Sequence, residues 1–372
     1  MKLLFLACLS PKTGNYTTAE RIRSHIESAG HTCELRDVAD FLSPSDVAHL
    51  VSQNPPFQGA LAIHLFKAGR LLLDIQLPFG VIFGGTDINE DVKDEQKRVV
   101  MEQVLLKARF AVAFTEKLKE EAEFVLVSPQ SKIYVQPQGI QTEVAEKFCW
   151  TEFLMSSGVR TDCVDELCVF LLVCGLRRVK DPLYLAEVFS EWHSENHLNI
   201  LIIIGPKYII FKHLFICSDS GARQKVDPAL TAKVEAVVKR ATGVFLAQER
   251  SQRKLHAVMK RCFAVVNSSE SEGMSAAILE VNICKAMDLR VPVLARNIPG
   301  NAAVVKHGVN GLLFSSPQEF VHQSQRLLSD HKLRERVVRN GKLYVEENHS
   351  VKQEKETYQR LVDTLHKAQF SA

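Results

Sequence analysis

Short apolar runs that alternate with amphipathic helical stretches, twice over along the chain, constrain this sequence more than any other feature. The first series has apolar runs within residues 1–10 and at 60–63, 81–83, 110–114 and 133–135, separated by helical patterns at 17–29, 95–107 and 116–127. The second has runs at 169–174, 199–204, 244–246, 263–267 and 293–295, with helical patterns at 182–191, 228–241 and 251–261. Strands of four to six apolar residues without polar alternation are covered on both faces, and strand–helix–strand repetition closes as a right-handed parallel sheet. The predicted fold class is α/β: two Rossmann-like doubly wound domains facing across a cleft. A length of 372 residues agrees with two cores, each large enough to stand without staples.

Periodicity fails between residues 141 and 166, where polar residues and Ser156-Ser157-Gly158 accumulate. The expected boundaries are therefore an N-terminal domain at 1–150, a linker at 151–166, a C-terminal domain at 167–345 and a C-terminal packing helix at 346–372. The stretch 208–217, inside a longer excursion at 208–225, is too apolar for the short loop expected after Gly205-Pro206 and reads as an insertion.

Composition removes several classes. Lys and Arg number 46 against 43 Asp and Glu, a formal charge of +3 spread along the helices, so no basic stripe marks a nucleic-acid surface. Nine cysteines include no C-x-x-C pair, which argues for unpaired thiols rather than a disulfide or zinc framework. Apolar runs fall far short of the roughly 20 residues of a membrane span, so no transmembrane segment is expected. Met1–Ser10 combines a basic start with a short apolar run, but Pro11 to Asn15 and a helix stopping at Gly30 continue it as strand, loop, helix. That reading, with unpaired thiols, places the chain in the cytoplasm; a signal peptide at Met1–Ser10 would instead make it secreted.

In doubly wound sheets, ligands bind outside the carboxyl ends of the strands, so the loops after each strand hold the candidate chemistry. Residues 268–280, Ser-Ser-Glu-Ser-Glu-Gly-Met-Ser-Ala-Ala-Ile-Leu-Glu, leave a strand, turn at Gly273 and enter a helix. A helix start offers free N–H groups and about half a positive charge to an anion. Glu280, inside the helix, leans back toward that end, and Glu272 approaches from the loop. Two carboxylates beside an anion site make sense only if the ligand also carries hydroxyls, as a nucleotide sugar does. A diphosphate then demands cations, and Arg177, Arg178 and Lys180 follow another strand in Gly175-Leu176-Arg177-Arg178-Val179-Lys180-Asp181-Pro182.

At these residues the chain resembles the retaining B-type glycosyltransferases of glycosyltransferase family four. Glu272 and Glu280 match the family's E-x7-E pair, and Arg177 or Arg178 with Lys180 looks like its diphosphate clamp. The likeness extends over most of the chain, through Pro11 to Asn15, Gly85-Thr86-Asp87, Pro137-Gln138-Gly139-Ile140 and Ile298-Pro299-Gly300-Asn301. It implies a GT-B fold and retaining transfer of a hexosyl group from a nucleoside diphosphate sugar to an acceptor it does not identify. It implies that Glu272 contacts the donor sugar and Glu280 the ribose, while Arg177 and Lys180 stabilise the leaving diphosphate. Gly273, Met274, Ser275, Arg178 and Gly14 would complete the donor site. No cofactor and no metal are implied, because the clamp supplies the positive charge.

In the first domain, His64 ends a strand, and Thr86 and Asp87 sit in a Gly-rich turn. All three are candidates for the acceptor side, against the plain alternatives of a packed histidine and a turn cap. The sequence departs from the family in two ways. One glycine, Gly14, stands in the first loop where relatives usually show two, and residues 281–285 intervene before Ala286-Met287. With the excursion at 208–225, these departures leave a second reading, a non-catalytic nucleotide-sugar binding or scaffold protein. A dinucleotide oxidoreductase shares the alternation, but no G-x-G-x-x-G opens a helix.

Overall fold

The computed structural model describes residues 1–10, 14–126, 132–176, 178–205, 228–270 and 276–366, with the backbone alone at 228 and 276–281. Within them the chain forms two compact units, one built from 1–139 with the segment from 349 onward, the other from 140–348.

The first unit carries a six-stranded parallel sheet of β1 (Lys2–Ala7), β2 (Thr32–Asp37), β3 (Gly59–Ile63), β4 (Phe79–Ile82), β5 (Phe110–Ala113) and β6 (Ile133–Val135). The spatial order is β2-β1-β3-β4-β5-β6. Residues 2–7, which a leader reading would discard, are thus an interior strand: Leu3 pairs with Cys33 on one side and Gly59 on the other. Leu3 to Ala7 are fully buried, as a strand covered by helices on both faces must be.

The second sheet comprises β7 (Cys168–Val173), β8 (Asn199–Gly205), β9 (Val244–Gln248), β10 (Ala264–Asn267), β11 (Val293–Arg296) and β12 (Leu312–Phe314). Its order is β12-β11-β10-β7-β8-β9, again all parallel. Every residue of β8 is buried, and apolar clusters pack on both sides of the sheet. Both units therefore have the doubly wound α/β form that the alternation predicts.

Two boundaries differ from the sequence reading. The first unit's opening segment ends at Gly139 rather than at 150. The stretch 151–166 is not a free linker: the helix Trp150–Ser156 inserts Phe153 and Leu154 into the second unit's core, and Trp150 stacks on Phe153. Trp150, Phe153 and Leu154, at i, i+3 and i+4, put one apolar face of this short helix against the core. Residues 281–285 run without interruption inside the helix Ala276–Asp288, where Ile283 and Cys284 are buried in the core. The excursion at 208–225 lies outside the described residues.

The final helix, Val351–His366, belongs to the first unit and is anchored there by charge. Glu354, fully buried, accepts hydrogen bonds from Arg21 Nε at 2.9 Å, Arg21 Nη2 at 3.1 Å and His25 Nε2 at 2.9 Å. Burial opposes its ionisation most strongly. The His25 hydrogen bond and the Arg21 charge together outweigh burial and hold the carboxyl below its usual range. Gly139 makes this approach possible, since a Cβ there would lie 2.7 Å from Glu354 Oε2 and 2.9 Å from the Val351 Cα.

Candidate functional site

Each sheet has one place where neighbouring strands send the chain in opposite directions, and there a crevice opens at their carboxyl ends. In the second sheet it lies between β7, followed by β8 on one side, and β10, followed by β11 on the other. The sequence-predicted cations and the anion loop follow β7 and β10 respectively, so the fold brings the two segments together.

Their meeting is sealed by backbone hydrogen bonds. The Ser268 hydroxyl, buried, reaches the carbonyls of Lys180 at 3.0 Å and Asp181 at 2.9 Å, and the Glu270 N–H donates to the Val179 carbonyl at 3.0 Å. The turn Arg178–Lys180 is a short 3-10 segment with Arg178 exposed and Lys180 buried to 8% exposure. Asp181 follows with a φ of 40°, a left-handed conformation that aspartate tolerates better than most residues. Arg177, Glu272, Gly273, Met274 and Ser275 lie outside the described residues, and Glu280 is described only by its backbone, inside the helix Ala276–Asp288.

Arg296, at the end of β11, joins the same cluster and was not among the sequence candidates. Its Nη1 donates to Asp181 Oδ2 at 3.2 Å and to the Ser268 carbonyl at 3.3 Å, and its guanidinium lies 3.8 Å from the centre of the Tyr184 ring. Burial raises the Asp181 pKa most, the Glu270 charge adds to the rise, and Arg296 works against both. Beneath it, Asn267 Oδ1 accepts from the Ser269 N–H at 3.0 Å and from Asn301 Nδ2 at 3.3 Å, which fixes the exit of β10. The applicable signal was positional: Arg296 ends a strand on the crevice side.

In the first sheet the crevice lies between β1 and β3, and it gathers His64, Thr86 and Asp87. His64 directly follows β3 with a φ of 77° and is 2% exposed. Its Nε2 takes a hydrogen bond from Asn15 Nδ2 at 3.0 Å, so the ring proton sits on Nδ1, 3.1 Å from Thr86 Oγ1 and 3.6 Å from Asp87 Oδ2. Asp87, fully buried, also caps the turn: its Oδ2 accepts the N–H groups of Gly84 at 2.8 Å and Leu65 at 3.0 Å. The His64 ring occupies the space of a side chain at residue 84, where a Cβ would fall 1.9 Å from it. Gly14 opens the helix Gly14–Glu27, next to the Asn15 that touches His64. Sequence reasoning missed Asn15 and Gly84, which reveal themselves only through contact with His64.

Among the described residues, no group of three or more His, Cys, Asp or Glu side chains is disposed to hold a metal ion, and no helix is long and apolar enough to cross a membrane. A surface cavity of ≈ 660 Å³ lined by Ser157, His193, Glu235 and residues 238–246 opens beside the start of β9, at the opposite end of that sheet from the crevice.

Comparison with known proteins gives this geometry its family. Residues 164–344 match the family model of the glycosyl transferases group 1. Glycosyltransferase 1 domain-containing protein 1 of Xenopus tropicalis is 52% identical over 365 residues, covering 98% of each chain. The chain belongs to the group 1 glycosyltransferases. Solved structures share its fold at low identity. Anabaena HepE in complex with UDP and glucose superposes with a TM-score of 0.70 at 14% identity, over 98% of this chain and 100% of the other. Sucrose-phosphate synthase from Thermosynechococcus elongatus does so at 0.71 and 13%, over 99% and 100%. This group 1 glycosyltransferase therefore has the GT-B fold, and the family-model match falls within the unit that holds residues 178–181 and 268–270.

Proposed function

We propose that the chain is a retaining glycosyltransferase of the family-four type, moving a hexosyl group from a nucleoside diphosphate sugar to an acceptor. The observation that carries this reading is the hydrogen-bonded junction of residues 178–181 with 268–270, which sets cations and an anion loop at one strand switch. A leaving diphosphate carries about two negative charges, and Arg or Lys groups fixed before the reaction stabilise it without reorganising. In this reading Arg177 and Lys180 neutralise the departing diphosphate, and Arg178, Gly14, Gly273, Met274 and Ser275 help hold the donor. Glu272 accepts from the sugar hydroxyls and Glu280 from the ribose. His64, Thr86 and Asp87 serve the acceptor side. The HepE complex with UDP and glucose supports a donor of this chemical kind.

The mechanism asks for neither a metal nor a cofactor, because guanidinium and ammonium groups take the role a divalent cation would fill. The alternative, a non-catalytic nucleotide-sugar binding or scaffold protein, takes its motive from residues 281–285, which lie inside the helix Ala276–Asp288, and from the excursion at 208–225.

The deciding experiment is a calorimetric titration of the wild type and Glu280→Ala with UDP-glucose, paired with thermal melts. The variant is expected to weaken donor binding at least tenfold with the melting temperature retained. Equal affinity in both would refute the assignment of Glu280.

A further inference from the structure

Arg296 is held on three sides, by a carboxylate, a carbonyl and a ring whose own position is fixed. Tyr184 stacks at 6.5 Å on Phe314 and donates its hydroxyl to the Ser315 carbonyl at 3.2 Å, so the guanidinium rests on a rigid platform. Both hydrogen bonds leave from one nitrogen, Nη1, while the guanidinium lies over the Tyr184 ring, a contact that the flat, delocalised arginine head makes better than the ammonium of lysine. Such investment at the edge of an anion site asks for an explanation, because the charge of Arg296 is directed at Asp181 rather than toward solvent.

The explanation lies in the acids around it. Asp181 and Glu270 belong to the two loops that the Ser268 and Glu270 hydrogen bonds draw together, and they sense each other electrostatically. Two carboxylates at the rim of a diphosphate pocket would repel the ligand and compete with it for Lys180, the neighbour of Asp181 in the chain. Among the described residues of this cluster, Arg178, Lys180 and Arg296 carry positive charge and Asp181 and Glu270 negative, a net excess of one cation. Loss of Arg296 cancels that excess, and loss of Asp181 as well restores it.

We propose that Arg296 is a positioning residue of the donor site, acting through Asp181: it neutralises that carboxylate and locks the turn 178–181 to the loop 268–270, which lowers the negative charge that a diphosphate would meet there. The inference deepens the donor reading given above and rests on it. It assigns to the end of β11 a role in selecting a dianionic linker. In the low-dielectric crevice, a carboxylate left uncompensated a few ångströms from a phosphate costs far more than it would in water.

The test is a charge-rescue cycle on the full chain, with UDP as the probe in calorimetric titration and a thermal melt of each variant. Arg296→Gln is expected to weaken UDP binding about tenfold, as loss of a charge-assisted contact does, and Asp181→Asn/Arg296→Gln to recover to within about threefold of the wild type. Arg296→Lys, which keeps the charge but not the guanidinium over the Tyr184 ring, should bind UDP more tightly than the glutamine variant. A purely structural Arg296 predicts no recovery in the double variant, and that result would overturn the proposal, as would an Arg296→Gln protein that binds UDP like the wild type. Should Arg296→Gln fail to fold, Asp181→Asn alone decides: affinity equal to or above the wild type supports the charge-balancing role, and a tenfold loss refutes it. A wild type that binds none of UDP, GDP and ADP would sink the donor reading and this inference together, whereas wild-type binding with an unaffected Arg296→Gln sinks the inference alone.

Discussion

The two sheets obey one architectural rule and arm it with different chemistry. In the first unit the switch falls between β1 and β3, and the crevice there is furnished with an amide, a hydroxyl, an imidazole and a buried carboxylate that caps a turn. In the second it falls between β7 and β10, and the crevice is furnished with Arg178, Lys180 and Arg296 set against Asp181 and Glu270. In the function proposed above, the first set serves hydroxyl groups and the second a polyanion. A strand switch thus supplies a place, while the side chains leaving it supply the selectivity.

The contrast can be broken most forcefully at the anchor of the first unit. Glu354→Ala leaves Arg21 and His25 facing a buried void, and it should cost about 3 to 5 kcal/mol, the range for breaking a buried ion pair. The loss should appear in denaturant melts as early unfolding of the first unit, with the second unit's transition unmoved; coincident shifts of both would show that the units do not respond separately.

Next in size is Lys180→Ala. Removal of a preorganised donor to developing charge should lower kcat/KM by about 10² to 10³. Steady-state kinetics with a nucleotide sugar would check it, and an effect under threefold would detach Lys180 from the leaving group. The matching change in the first crevice, His64→Ala, should reduce kcat/KM about tenfold, the worth of one neutral hydrogen bond, while UDP affinity stays constant. A drop in UDP affinity instead would erase the chemical division between the sheets.

Acid provides the finest comparison, because each unit buries one histidine with a lowered pKa. Burial is the main cause for His349 in the first unit and for His256 in the second, and it outweighs their hydrogen bonds to the backbone at Gln138 and Glu143. Each ring takes up a proton more readily unfolded than folded. Its stabilisation is therefore complete above the ordinary value of 6.5 and is lost as pH falls below it. The Glu354 carboxyl, also lowered on folding, adds a loss at still lower pH as it protonates. His349→Gln should flatten the pH dependence of the melting temperature between pH 7 and about 5 for the first unit alone; an unchanged slope would show that another group sets it.

What the chain disclosed in advance follows from coverage. Interior strands such as β1 and β8 are apolar along their length and were readable as such. Both strands that escaped notice, β2 and β12, are sheet edges. β2 reads Thr-Cys-Glu-Leu-Arg-Asp, mostly exposed or half-buried, and β12 has three residues, so neither shows a continuous apolar run. The helix Trp150–Ser156 was concealed by its length, since an i, i+3, i+4 set at Trp150, Phe153 and Leu154 within seven residues covers little more than one turn. At the sites, the segments were visible from their places after strands, and the fold brings 178–181 to 268–270. Partnerships such as Arg296 with Asp181, 115 residues apart, were not visible, because local patterning carries no information on which loops meet.

The return of the helix Val351–His366 to the first unit has a consequence for biosynthesis. Arg21 and His25 leave the ribosome more than three hundred residues ahead of the carboxylate that pairs with them, whereas residues 140–348 are contiguous and can collapse as soon as they emerge. The later-made unit is thus the first whose sequence is complete, and the amino-terminal sheet spends translation without its closing helix. Chaperone capture of nascent chains should accordingly concentrate on the face of residues 1–139 that Tyr358, Leu361 and Leu365 finally cover.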